Sequence, residues 1–459
     1  MLTGQEYRKS LNDNRRVFYD GALIDVSSHP SLTRSIDQAA ATYDRFYDPA
    51  PGAISAYFQA PASAQELMRH AALKVDTLTS LTYTSLMTLL TSADRIQAIR
   101  PQGTEAIRAY VKDFQRRDLR IAECITDAKG DRAKSPSKQE DPDAYVRVVE
   151  RGSDGVVIRG AKLHISGAAL AHELMVIPTK SMKPGEEDYA IACTVPVDAT
   201  GVKIVNVTSR PRNEADFRDA PISADDHGDV AFVIFDDVFV PNERIFLNGE
   251  VEAAAIFAHS LGLWVRINGL KNMADEADMM VGFGQLIAEA NGLDRADNIR
   301  SKIADMVIHA TLVRATLEAA LANASVSADG VVAPNELYAN AGKYQGAAGR
   351  AQMIQHLQDI AGGSLVTAPS TLDLENAEVG HLVRKYMTTK QSIDGQYRTR
   401  LFLALRDLTS SAYAGHQAVT ILQSGGGLHA QRIVTRSRYD MKAARQRALS
   451  AAGLDDPTG

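Results

Sequence analysis

The stretch AYVRVVERGSDGVVIRGAKLHISGA, residues 144–168, decides the fold. Its two β-branched runs are broken by Gly152, Ser153, Asp154 and Gly155, the composition of strands divided by a turn. At its end, strand alternation puts Lys162, His164 and Ser166 on one face and Leu163 and Ile165 on the other. Gly167 then offers a place where another group can approach the backbone closely.

Outward from this segment the strand pattern continues. ELMVIPT (173–179), YAIACTVPV (189–197), GVKIVNV (201–207) and DVAFVIFDDVFVP (229–241) are short apolar runs separated by Gly, Asp and Pro. Upstream the period changes to that of a helix, as in SAQELMRHAALKVDTLTSLTYTSLMTLLTSADRIQAIR (63–100). Downstream EADMMVGFGQLIAEANGL (276–293), IRSKIADMVIHATLVRATLEAALANA (299–324) and GAAGRAQMIQHLQDIAGG (346–363) return to it, with lengths suited to a bundle. The expected order is a helical domain over 1–140, a strand domain over 141–250 and a helical bundle over 251–459. The polar, Pro-containing DRAKSPSKQEDPDA (131–144) lies at the first junction, as an ordered loop or a linker. Domain junctions are common places for ligand sites.

Composition removes several function classes. The 459 residues are 45% hydrophobic and 23% charged, which is enough to bury substantial cores. A net charge of -6 without a basic, aromatic-interleaved run gives no footprint for nucleic acid. Two cysteines, Cys124 and Cys193, cannot build a disulfide framework or an all-cysteine metal site. No apolar run reaches the roughly 18 residues that a membrane span needs, and the N-terminus has no apolar signal core, so a cytoplasmic protein is expected. GFGQLI (282–287) has two glycines of a dinucleotide loop, but it sits in a helical pattern without a preceding strand. Phosphate-loop, His-Glu-x-x-His, Cys-x-x-Cys and Gly-x-Ser-x-Gly motifs are absent from the sequence.

Longer segments are more informative. Residues 126–168, FDDVFVPNERIF (235–246), NGLDRADNIRSKIADM (291–306), IAGGSLVTAPS (360–370) and SGGGLHAQR (424–432) resemble, in order, the 4-hydroxyphenylacetate 3-hydroxylase family of flavoproteins. The nearest likeness is to its 4-hydroxybutyryl-CoA dehydratase branch. The resemblance implies an α+β multidomain fold of the acyl-CoA dehydrogenase kind: an N-terminal helical domain, a middle antiparallel β-barrel and a C-terminal helical bundle. FAD would lie between them, with a neighbouring subunit completing the site in a homotetramer or dimer.

The resemblance also assigns residues. Thr126, Asp127, Lys129, Arg132 and Ser135 would border FAD, as would Ser166 and Gly167 and the turn Ser424, Gly425, Gly426 and Gly427; His164 would touch cofactor or substrate. On their own residues, the first group reads equally as a hydrogen-bonded turn, the strand as a solvated face and the glycines as a flexible loop. Arg100 matches a substrate-binding arginine of the hydroxylase branch, while Thr104 stands where that branch has a tyrosine, and its histidine falls near Glu123 or Cys124. A helix-end Arg100 would also complement a helix dipole.

Departures narrow the chemistry further. The dehydratase branch holds a [4Fe-4S] cluster through three cysteines and a histidine, and soft iron sites call for thiolates. The matching positions here are Gln97, Pro101, Leu263 and Leu270, so no iron–sulfur cluster and no other metal is expected. Lys271 matches a lysine beside that cluster, although a lone helical lysine is ordinarily solvated. The resemblance thus implies a FAD-dependent monooxygenase that takes reduced flavin from a separate reductase and uses O2 to oxygenate an aromatic or acyl-CoA-type substrate. The alternative is a cluster-free acyl-CoA dehydrogenase or isomerase, for which Glu123 is the candidate base, Thr420 replacing the glutamate expected near the C-terminal glycines. A flavin-binding protein without chemistry is the third reading.

Overall fold

The computed structural model describes residues 1–208, 214–224, 229–327 and 330–456. Helices open the chain: α1 (Gly4–Ser10), α2 (Pro30–Phe46), α3 (Ala64–Ala72), α4 (Thr77–Ile96) and α5 (Pro101–Arg117). Local signals set their ends. Thr3 and Glu6 form a capping box on α1, and the Asp76 carboxylate caps α4 by accepting from the Thr79 N–H at 3.0 Å. Pro101 starts α5, and Asp118 ends it in the left-handed region, at φ 52°.

α4 is the central helix and buries 14 of its 20 residues, so it is covered on nearly every side. Its threonines are tolerated inside because their hydroxyls donate back along the helix, Thr82 to the Leu78 carbonyl at 2.8 Å and Thr88 to that of Thr84 at 2.7 Å.

The strands are β1 (Val17–Tyr19), β2 (Ala22–Ile24), β3 (Ile121–Cys124), β4 (Arg147–Arg151), β5 (Gly155–Ser166), β6 (Glu173–Val176), β7 (Ile191–Pro196), β8 (Val202–Thr208), β9 (Asp229–Pro241) and β10 (Ile245–Asn248). A minor pair, β11 (Ser325–Val326) and β12 (Val332–Ala333), lies apart. The closed antiparallel barrel expected from the sequence is not what forms among the described residues. There are two open sheets, in the orders β2-β1-β8-β9-β5-β4 and β10-β7-β6-β3. Each includes one parallel pair, β1 with β8 and β3 with β6. Both β1 and β3 come from the stretch read as helical, where strands of three or four residues are too short to show a period of two.

The polar face read on β5 is also corrected. The register with β9 slips between Lys162 and Ile165, and His164 takes φ 63°, the mark of a β-bulge. One extra residue reverses the facing of everything beyond it. Lys162, before the bulge, shares the buried face of Val156 and Ile158 and is 2% exposed, whereas His164 is turned to solvent. The bulged Leu163 N–H donates to the Thr126 carbonyl at 2.7 Å, so the irregularity fastens the loop after β3 to β5.

After α6 (Glu214–Asp219), the C-terminal part begins with α7 (Val251–Ala290), a 40-residue helix that would extend about 60 Å. It packs against α4, α8 (Asp297–Ala322) and α9 (Glu336–Ala361). The indole N–H of Trp264 donates to the Thr91 hydroxyl at 2.9 Å, joining α7 to α4. Shorter helices follow: α10 (Ser364–Thr367), α11 (Thr371–Glu375), α12 (Gly380–Met387), α13 (Gly395–Ser410), α14 (Ala412–Gln423), α15 (Leu428–Arg438) and α16 (Met441–Ala452). One core joins α4, α5 and α7 with β3, a second fills the space between the sheets, and a third lies within the terminal bundle. Among the described residues no helix is long and apolar enough to cross a membrane.

Candidate active site

The site is built where β3 runs beneath α4. Unlike the threonines of that helix, Ser85 and Ser92 are fully buried with hydroxyls that find no partner, as is the Tyr83 hydroxyl. Seven residues apart, the two serines share one helix face. Opposite Ser85 stands Glu123 of β3, whose Oε1 is shielded from solvent yet accepts no hydrogen bond. The residue as a whole keeps some exposed surface, which places it in the wall of a recess rather than in solid core. Burial pushes its carboxyl up to about 8, and the nearby Ser85 hydroxyl opposes this only in part. Buried polar atoms are nearly always paired, so this cluster of unpaired ones is the clearest ligand signal here.

Aromatic side chains pack on the opposite face of α4, Tyr83 standing two residues from Ser85 and so about 200° around the helix. The His70 ring stacks on Tyr83 with centroids 3.7 Å apart, and Tyr83 meets Trp264 edge-on at 5.9 Å. Burial lowers His70 to about 4, so it is a neutral ring, held by the Tyr57 carbonyl at 2.9 Å. Lys271, expected to be solvated, is half-buried and donates to the Leu73 carbonyl at 2.5 Å. Leu263 and Leu270, at two of the cluster-ligand positions, are packed in the core of α7. Gln97 and Pro101 stand at the end of α4 and the start of α5.

The loop after β3 is anchored by a buried ion pair. Lys162 Nζ lies 2.8 Å from Asp127 Oδ1, and it also donates to the carbonyls of Ile125 and Ile177 at 2.9 Å each. All three ammonium protons are thereby used. Asp127 Oδ1 accepts from the Val146 N–H at 2.9 Å, and Oδ2 meets the Thr179 hydroxyl. The Asp127 carboxylate thus positions the loop from inside. Lys129 is half-buried at φ 71°, its charged form disfavoured by burial and then by Arg132. Arg132 itself is exposed, and Ser135 stands 3.5 Å from the Ser137 hydroxyl. Ser166 is half-buried; a side chain at Gly167 would close on Leu78 of α4.

The remaining sequence-selected residues lie elsewhere. Arg100 is ion-paired with Glu250, at the start of α7, and its Nε has no acceptor. Thr104 is 0% exposed and gives its hydroxyl proton to the Ala93 carbonyl at 2.9 Å, joining α5 to α4. In the turn after α14, the Ser424 N–H donates to the Thr420 carbonyl at 2.8 Å, and the carbonyls of Gly425 and Gly426 accept from Arg266 and Gln431 at 2.8 Å each. Gly427 precedes α15. Sequence reading passed over Ser85, Ser92, Tyr83 and Arg266. Small polar and aromatic residues within a helical pattern look like core, and only the failure of their atoms to find partners sets them apart.

The fold has known counterparts. The oxygenase component of 4-hydroxyphenylacetate 3-monooxygenase, solved in complex with FAD, shares the fold with a TM-score of 0.85 at 23% identity, over 98% of each chain. The family model described as 4-hydroxyphenylacetate 3-hydroxylase N terminal matches residues 3–247, and the corresponding C-terminal model matches residues 254–453. The chain belongs to the 4-hydroxyphenylacetate 3-hydroxylase family, a family of enzymes. It is 28% identical to the 4-hydroxybutyryl-CoA dehydratase/vinylacetyl-CoA-Delta-isomerase of Clostridium aminobutyricum, over 99% of this chain and 100% of the relative. It is 27% identical to the 4-hydroxyphenylacetate 3-monooxygenase oxygenase component of Thermus thermophilus, over 90% of each.

Proposed function

We propose that this chain is the FAD-dependent component of a two-component monooxygenase, which receives reduced flavin from a separate reductase and oxygenates an aromatic or acyl-CoA-type substrate with O2. The observation that carries the reading is the recess at Glu123, where one carboxyl oxygen and the hydroxyls of Ser85 and Ser92 on the facing side of α4 lack protein partners. Family membership and the FAD complex of a structural neighbour support it.

The residues present suit a flavin. Lys129 and Arg132 bring two cations to a loop whose backbone is fixed from below by Asp127 and Lys162, as an anionic cofactor requires. We read Gly167 and the turn at 424–427 as further places where the backbone borders the cofactor. Bound there, FAD would supply the redox chemistry that no side chain offers. The chain's own part is to hold a proton on Glu123, which is protonated at neutral pH and can donate it to a substrate oxygen. Arg100, with Nε unpaired, can turn from Glu250 to an anionic substrate group. We read Thr104 as a fastening of α5 to α4 beside this arginine. We also read the chain as a homotetramer or dimer, supported by the exposed Val307, Ile308 and Leu312 along α8.

A specific observation favours a second reading. With an unpaired oxygen and a raised pKa, Glu123 is also suited to take a proton α to a thioester, as a cluster-free acyl-CoA dehydrogenase or isomerase needs. One experiment separates the two. Purified protein is titrated with oxidised and reduced FAD, then given acyl-CoA esters or phenols anaerobically and, separately, with a flavin reductase and labelled O2. Label appearing in a phenolic or acyl product only when reductase is present supports the monooxygenase. Anaerobic bleaching of the flavin by an acyl-CoA alone supports the second reading, and failure to bind FAD in either redox state refutes both.

A further inference from the structure

Two cations lie inside the helical part of the molecule with no carboxylate to balance them. Arg266 of α7 is 5% exposed and Lys343 of α9 is 1% exposed. Among the described residues, neither has an acidic partner within 4 Å. Each reaches only a carbonyl at the end of α14: Arg266 Nε donates to Gly425 at 2.8 Å, and Lys343 Nζ donates to Ile421. Glu336 acts on Arg266 from α9, but its carboxylate is already engaged by Arg438 at 2.6 Å.

Capping the negative end of α14 accounts for one donor on each cation. It leaves most donors idle, since a guanidinium has five N–H groups and an ammonium three. Arg266 Nη1 is buried without any acceptor. The two charges also oppose each other: burial first, and then the charge of Arg266, together lower Lys343 to about 8. A pair of buried like charges is costly unless something anionic is meant to join them. The packing keeps room for the cationic groups. A side chain at Gly262 would come within 3.1 Å of the guanidinium carbon, and one at Gly269 within 3.3 Å of Lys343 Cε.

We propose that Arg266 and Lys343 form an oxyanion subsite that takes a carboxylate or phosphate group beside the 424–427 turn. The ligand chemistry is a compact anion with two or three oxygens, matching a guanidinium fork and an ammonium. It has two sources, the acid group of a substrate or the phosphates of the flavin. The subsite deepens the proposed flavoenzyme reading and rests on it for its occupant, not for its existence.

The test uses the full-length protein with sodium phosphate and sodium acetate as probes at constant ionic strength. Thermal unfolding of the unmodified chain should shift upward and saturate at millimolar probe. Arg266→Gln and Lys343→Gln should each weaken that response at least tenfold, while Arg69→Gln, on the exposed face of α3, should not change it. Lys343→Gln keeps an N–H for the Ile421 carbonyl, so it preserves the cap and removes the charge. If it does not fold, Arg266→Gln carries the comparison. Titration with FAD and competition by ADP separate the sources. Loss of FAD affinity in the variants with competition by ADP identifies the flavin phosphates, and unchanged FAD affinity identifies a substrate acid; both support the subsite. No saturable response in the unmodified chain, or an undiminished one in both variants, overturns it. FAD binding in that case leaves the flavoenzyme reading standing, whereas an intact anion response without FAD binding removes that reading alone.

Discussion

Glu123 offers the sharpest check on the site, because its burial makes a quantitative statement about stability. Its carboxyl ordinarily titrates near 4.5 and is raised to about 8 in the folded chain. A raised acid binds its proton more tightly when folded, so its contribution is fully present below about 4.5 and is lost as pH rises toward 8. At about 1.4 kcal/mol per unit of displacement, the folded state loses about 3 kcal/mol through this group between about pH 5.5 and 8.5. Glu123→Gln keeps the shape of the protonated acid and cannot ionise. The variant should therefore match the unmodified protein in acid and exceed it in base, the gap widening by about 3 kcal/mol over that range. For a chain of this size that corresponds to about 3 °C in midpoint if it unfolds as one unit. Thermal unfolding of both proteins at several pH values measures the difference, and shared titrations cancel in it. Parallel curves would show that Glu123 ionises freely and that the recess is open to water.

Two further outcomes follow from the fastening of the site. Lys162→Met should destabilise the chain by about 3–5 kcal/mol, because it strands the buried Asp127 carboxylate; adding Asp127→Asn should recover much of the loss in chemical denaturation, and no recovery would refute the pairing. Thr104→Val should reduce stability by about 1 kcal/mol through loss of the bond to Ala93, with FAD affinity unchanged by fluorescence titration; a lowered affinity at unaltered stability would return this residue to the site.

How much of this was legible in the sequence depends on whether the cause is local. The alternation in β5, the cap at Asp76 and the Pro101 start of α5 are written in neighbouring residues, and so were the three regimes of helix, strand and helix. The segment from Thr126 to Ala168 carried the family resemblance because its loop and strands are contiguous. The bulge at Leu163 and His164 was not legible, since nothing in KLHIS says that the Thr126 carbonyl will compete for a strand N–H. The same holds for β1 and β3, whose partners β8 and β6 lie far along the chain. Sheet closure likewise depends on which edges meet, a matter of tertiary packing.

Residue roles follow the same division. Strand alternation puts Lys162 with His164 and Ser166 on one polar face, yet Lys162 is the buried counterion of Asp127, and the register slip that follows it parts it from His164. Ser85 and Glu123 lie 38 positions apart, on a helix and a strand. What distinguishes Ser85 from Thr84 and Thr88 is a missing acceptor, for those two have returned their protons to the helix. An unpaired buried group is a property of the whole fold, and it costs stability that a purely structural helix would not keep giving up. Glu123 Oε1, with the Ser85 hydroxyl beside it, is such a group brought together by a helix and a strand, and that is the physical argument for a ligand there. It holds whatever the ligand's chemistry, because it depends only on which polar atoms the folded chain leaves unsatisfied.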